Sequence, residues 1–240
     1  MRTNLSNLHD YYDFRANKLN LKPLKIYDTY VSLVPKNNVA FTYKQAKEDI
    51  TNALLPLGAE YQEILSNGLS NARWVDKFEN EGKRSGAYCS GCYDSNPFIL
   101  MNYKEKGFDG IFTLAHEAGH AMHSYFSNKH QNYQDHQYTI FVAEVASTVN
   151  ELLLLNYLQA KNKSDKKMQT ILSNHLLDDI KSTFYRQTMF AEFELKAHEQ
   201  AENGMPLSLD FFRNTYKQLL IDYFGKAVEI SDLDLSLIHI

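Results

Sequence analysis

His116-Glu117-Ala118-Gly119-His120 constrains this chain more than any other stretch, because two histidines four residues apart do chemistry together only on a helix. Four α-helical residues turn through roughly 400°, so both imidazoles project from one face, about one turn apart along the axis. One metal ion can touch both, and Glu117 beside the first can lean toward a water on that metal and take its proton. A helix over 110–127 is predicted: Asp109 is placed to cap it, and no proline interrupts it. Leu114, Ala118, Ala121 and Tyr125 follow helical spacing as a buriable stripe, with His116, His120 and His123 on the neighbouring face.

A catalytic zinc site needs a third protein ligand and an open fourth position. Glu144 is the candidate. It sits in the helix-like run Phe141 to Glu151, far enough after His120 for one helix to end near Asn128 and a second to return beside it. Glu144, Thr148 and Glu151 share a face of that second helix, and Val142, Val145, Val149 and Leu152 are expected to pack behind it. Glu151 is a candidate for orienting a liganding imidazole through a hydrogen bond. His123, one turn beyond His120, is a candidate for a role beside the ligands or toward substrate.

Three stretches resemble the oligoendopeptidase F branch of the thimet-oligopeptidase-like zinc peptidases. They are Arg84-Ser85-Gly86-Ala87-Tyr88, the run from Phe112 to Ser127 around the histidines, and Phe141 to Thr148 followed by Asn150-Glu151. The resemblance covers most of residues 1–230. It implies that His116, His120 and Glu144 bind one zinc ion, that Glu117 is the base, and that the substrates are oligopeptides cut inside a cell. Proteins it resembles are longer, with a helical region before this part and a tyrosine- and histidine-rich segment after it. A fragment is therefore expected, with an atypical C-terminus at 233–240. The alternative to an active endopeptidase is a truncated fragment that binds zinc and peptides with little or no turnover.

The fold class expected is mainly α, a gluzincin-type helical core with a small β hairpin or sheet, forming one partial catalytic domain over 1–240. Thr42 and Gln45 make a capping box for a helix running to about Asn67, interrupted at Pro56. Phe98 to Tyr103 reads as a strand whose edge, or the glycine loop beside it, can hold an extended substrate by strand addition. Tyr88, Leu100 and Tyr138 are the substrate-binding candidates. A long helix is expected from about Ser164 to Asn203, and Ser208 is placed to cap a last helix ending near Gly225.

Composition excludes several classes. The formal net charge of −4 with scattered lysines leaves no basic stripe for nucleic acid. No apolar run approaches the roughly 20 residues of a membrane helix, and the polar start Met1 to Asp13 is not a signal peptide. Cytoplasm is the compartment expected. Cys89-Ser90-Gly91-Cys92 holds the only two cysteines; Tyr93 to Pro97 after it reads as a turn, not the helix a redox pair would precede. A structural zinc knuckle would need two further ligands, and no further cysteine exists. Two reduced thiols are the expectation there.

Overall fold

The structure, a computed structural model, describes residues 2–34 and 39–235. Its described residues form α1 (Leu5–Leu19), α2 (Tyr43–Ala53), α3 (Ala59–Gly68), α4 (Asp109–His130), α5 (Ile140–Lys161), α6 (Lys166–Asp179), α7 (Gln187–Glu202) and α8 (Leu209–Phe224). The strands are short: β1 (Leu24–Lys25), β2 (Val75–Asp76), β3 (Tyr88–Ser90), β4 (Phe98–Leu100) and β5 (Val228–Glu229). The chain is mainly helical and divides into two compact units, Met1–Pro35 with Ser173–Ile240, and Lys36–Leu172.

In the first unit α1, α7 and α8 surround a core of Leu8, Tyr12, Ala16, Met189, Leu219 and Tyr223. There β1 and β5 pair in parallel, Leu24 opposite Val228. Ser208 caps α8 as expected, its Oγ accepting from the Phe211 amide at 3.1 Å. The predicted helix over 164–203 is realised as α6, a seven-residue π-helical turn at Ile180–Arg186, and α7. Asp232–Leu235 forms a 3-10 turn; residues 236–240 of the atypical C-terminus lie outside the described residues.

The second unit is built on α4 and α5. Asn150 Nδ2 donates to the Ala115 carbonyl at 3.2 Å, and Ser147 lies against Gly119, so residue numbers rise along one helix as they fall along the other. The two helices are antiparallel neighbours. Leu114, Ala118 and Ala121 are buried as the stripe predicts, and Tyr125 is half-buried. Helix α4 begins one residue earlier than expected and carries no side-chain cap: Phe108 occupies the cap position, and Asp109 sits in the first turn, where its charge favours the helix dipole. The Thr42–Gln45 capping box is formed, but α2 ends at Ala53, and a 3-10 turn holding Pro56 separates it from α3.

Two expectations are corrected. Val142, Val145, Val149 and Leu152 do not pack behind α5 but are exposed; its buried side is Ser147, Asn150, Leu154, Leu155 and Leu158. That side is selected by contact with α4, which needs small and amide side chains for close approach more than it needs large apolar ones. Moreover, α5 is long and apolar enough to cross a membrane by length and composition alone, with a mean hydropathy of 1.2. Glu144, Asn150 and Glu151 interrupt its apolar run, and for that reason a search for unbroken runs passes over it.

Gly119 is where the two helices come closest. A Cβ there would lie 2.6 Å from Ser147 Cα and 2.7 Å from the Ala146 carbonyl oxygen, both backbone atoms of α5. On an exposed helix position Gly→Ala stabilises by about 0.5–1 kcal/mol. Here the added methyl must push two helices apart, so Gly119→Ala is expected to destabilise by about 1–3 kcal/mol. The midpoint of urea unfolding checks this, and a midpoint that rises would contradict the close approach.

Candidate metal centre

The antiparallel pairing carries His116 and His120 on α4 opposite Glu151 and Glu144 on α5. His116 Nε2 and His120 Nε2 are 3.1 Å apart, and Glu144 Oε2 is 3.4 Å from the first and 3.5 Å from the second. These three side chains form a group able to hold one metal ion. Ligand atoms sharing one tetrahedral ion at bonds of 2.0–2.1 Å stand about 3.3 Å from one another. The triangle therefore has the right size for a single small cation.

Hydrogen bonds behind the triangle aim its lone pairs inward. His116 Nδ1 lies 2.6 Å from Glu151 Oε1, and a carboxylate can only accept, so Nδ1 carries the proton and Nε2 presents its lone pair. The Nε2 of His120 faces that of His116, and the nearby backbone of Ala143 favours the protonated ring only weakly. Two lone pairs at 3.1 Å repel unless a cation or proton lies between them. Ser147 Oγ donates to Glu144 Oε2 at 2.7 Å and fixes the carboxylate.

Electrostatics at the site follow from burial and from the acids. Burial pulls the His116 pKa down, but the bond to Glu151 and the charges of Glu151, Glu117 and Glu144 outweigh it, and the net shift is upward. His120 is lowered by burial and by the neighbouring His116. Glu117 is buried, and burial raises its pKa, with Glu144 and Glu151 adding to the rise while His116 opposes it. Its Oε2 is buried without a hydrogen-bond partner. A buried carboxylate oxygen left without a partner, on the residue next to His116 and within reach of its charge, suits a group that receives a proton.

The other candidates are spread around this centre. Glu151 is in place behind His116. The His123 ring does not join the triangle but stacks on Tyr138, centroids 3.7 Å apart. The Tyr138 hydroxyl is 2.7 Å from Ser124 Oγ. Leu100 is on β4, which pairs with β2 on one side and β3 on the other, so that strand cannot accept another. Strand β3, carrying exposed Tyr88, has β4 on one side only within that sheet. The Cys89 thiol next to Tyr88 is pushed up to about 12 by burial and by the charge of Glu117. A thiol so protonated is a poor nucleophile, in keeping with an unreactive Cys89.

Sequence reading missed Ser147, Asn150 and Gly119. Ser147 was detectable, since it lies three residues after Glu144 and therefore beside it on a helix. Asn150 and Gly119 depend on which face of α5 meets α4, and only the folded chain settles that.

Fold and site together define a mainly α-helical core in which two histidines and a glutamate form a group able to hold a metal ion. The chain belongs to peptidase family M3, whose model matches residues 1–240. It is 48% identical over 223 residues to oligopeptidase PepF of Bacillus subtilis, covering 93% of this chain and 33% of that protein. It is 46% identical over 230 residues to an oligoendopeptidase F homolog of Borreliella burgdorferi, covering 96% of this chain and 39% of that one. Among solved structures, oligoendopeptidase-F from Enterococcus faecium aligns with a TM-score of 0.66 at 30% identity, covering all of this chain and 34% of its own. A Chlamydophila abortus protein described as a peptidase aligns with a TM-score of 0.80 at 42% identity, covering 98% of this chain and 39% of its own. This chain thus spans about a third of the length of the relatives it matches.

Metal binding requires neutral imidazoles, so protons compete with the ion. Because the His116 pKa is raised in the metal-free chain, that competition begins at a higher pH than for an ordinary histidine near 6.5. Glu151→Gln keeps an acceptor for Nδ1 but removes the charge that supports the imidazole as a donor. At pH 8 the variant is expected to bind zinc about tenfold more weakly than the parent. The deficit should narrow toward pH 6, where the parent loses more to protonation. Chelator competition across that range checks it, and a deficit that widens toward pH 6 would contradict the assignment.

Proposed function

We propose that this chain is the zinc-binding part of a metalloendopeptidase that hydrolyses internal peptide bonds of oligopeptides. The observation that carries this reading is the triangle of His116 Nε2, His120 Nε2 and Glu144 Oε2, together with the buried, unpartnered Oε2 of Glu117, the residue after His116. His116, His120 and Glu144 would hold one Zn²⁺; two imidazoles and a carboxylate are a donor set that suits it. A bound zinc supplies a Lewis acid that lowers the pKa of a coordinated water to about 7 and polarises the scissile carbonyl.

The chain's own residues do the rest. Glu117 takes the proton of the attacking water on its bare oxygen and passes it to the leaving amine. Its upward-shifted pKa brings the base closer to the working pH, which makes the second transfer easier without abolishing the first. Glu151 holds the His116 ring and keeps its proton on Nδ1. The free side of β3 is where an extended peptide can add as a strand, with Tyr88 alongside it.

The two compact units are read as parts of one partial catalytic domain, acting in the cytoplasm on peptides and not on nucleic acid or a membrane. The second reading is a zinc- and peptide-binding fragment with little turnover.

Glu117→Gln is the direct test of the base. The amide keeps the shape of the carboxylate but cannot accept the proton, so zinc content should stay at about one per chain while cleavage of a quenched fluorescent peptide falls by at least about a hundredfold. The pair is measured in residues 1–240 and in a chain extended to the relatives' length. Equal loss of zinc and cleavage would make Glu117 a structural residue.

A further inference from the structure

Glu144 has a weakness as a ligand that its partners on α4 do not share. It lies in the second turn of α5, before the first buried residue of that helix, Ser147. The turn ahead of it packs poorly: Ile140 is 86% and Phe141 87% exposed, and Thr139 at the cap position makes no side-chain cap bond. A helix end with exposed side chains and an unsupported first turn frays. A metal ligand there needs a tether on its N-terminal side.

We propose that Tyr138 is that tether, a positioning residue that holds the start of α5 against α4 and so keeps Glu144 beside the two histidines. Its ring stacks on His123 at 3.7 Å between centroids with only 13° between planes. Its hydroxyl lies 2.7 Å from Ser124 Oγ. Both anchors sit on α4 one turn beyond His120, and Tyr138 precedes the first residue of α5 by two positions. One clamp thus joins the turn of α4 that carries His120 to the chain that leads into Glu144. The clamp is built into the fold, since the 131–139 connection is also pinned by Ser127 Oγ donating to the His136 carbonyl at 2.5 Å. His123 supplies a flat partner whose Nδ1 is buried without a hydrogen bond, so its ring is held by stacking and not by a polar contact of that nitrogen.

This inference rests on the zinc assignment to His116, His120 and Glu144, and its test has one arm that needs no metal. In residues 1–240, zinc affinity is measured by competition with a fluorescent chelator, with circular dichroism confirming that each variant is folded. Tyr138→Phe keeps the stack and should bind within about threefold of the parent. Tyr138→Ala should bind about 10- to 100-fold more weakly, the range found when residues supporting metal ligands are removed. In a Glu144→Ala background the same change should cost nothing further, because Tyr138 acts through Glu144. In the metal-free arm, amide exchange over residues 142–147 should be at least about fivefold faster in Tyr138→Ala than in the parent, and unchanged in Tyr138→Phe. Unaltered exchange, or a zinc deficit of Tyr138→Ala that persists undiminished without Glu144, overturns the clamp. Absence of zinc binding in the parent overturns the metal assignment alone, and the exchange arm still decides the clamp.

Discussion

Everything at the candidate centre depends on how closely α4 and α5 approach at Gly119. With a hydrogen atom in place of a side chain, the backbone of α5 at Ala146 and Ser147 comes into direct contact with α4. That contact sets the antiparallel register, and the register places Glu151 behind His116 and Glu144 beside both ring nitrogens. Asn150 reinforces it from the buried side, donating to the Ala115 carbonyl while its Oδ1 accepts from Tyr61. A larger residue at 119 would separate the carboxylates from the imidazoles before it changed any ligand. The glycine inside the histidine motif is therefore a packing requirement of the metal geometry.

The same register explains why the buried polar groups here are tolerated. A carboxylate moved out of water is costly unless it is paired or hydrogen-bonded. Glu151 is paired to His116, and Glu144 accepts from Ser147 and remains partly exposed. Glu117 is the exception among these three carboxylates: its Oε2 is buried and bare, and burial raises its pKa. A buried carboxylate oxygen left without a partner supports the proposed role of Glu117 as the proton acceptor.

Much of this was legible in the sequence because it is local. His116, Glu117 and His120 lie within two helical turns, so their common face follows from spacing alone, and the helix boundaries of α4 came within three residues. Glu144 was reachable because a second helix had to return beside the first. The face that α5 buries was not legible: an apolar stripe of Val142, Val145, Val149 and Leu152 reads as core, yet close approach to α4 selects Ser147 and Asn150 instead. The place of Leu100 was equally hidden, since strand order in β2-β4-β3 is a long-range property and a three-residue strand carries no mark of being central. The break of the predicted long helix into α6, a π turn and α7 likewise has no proline or glycine to announce it.

The central claim is that two imidazoles and one carboxylate, and neither cysteine, hold a single zinc ion. X-ray absorption at the zinc edge, on residues 1–240 loaded with one equivalent of zinc, tests it most directly. The account predicts only nitrogen and oxygen neighbours at about 2.0–2.1 Å, with the outer-shell pattern of two imidazoles. A sulfur neighbour at about 2.3 Å would place the ion at Cys89 or Cys92 and contradict it.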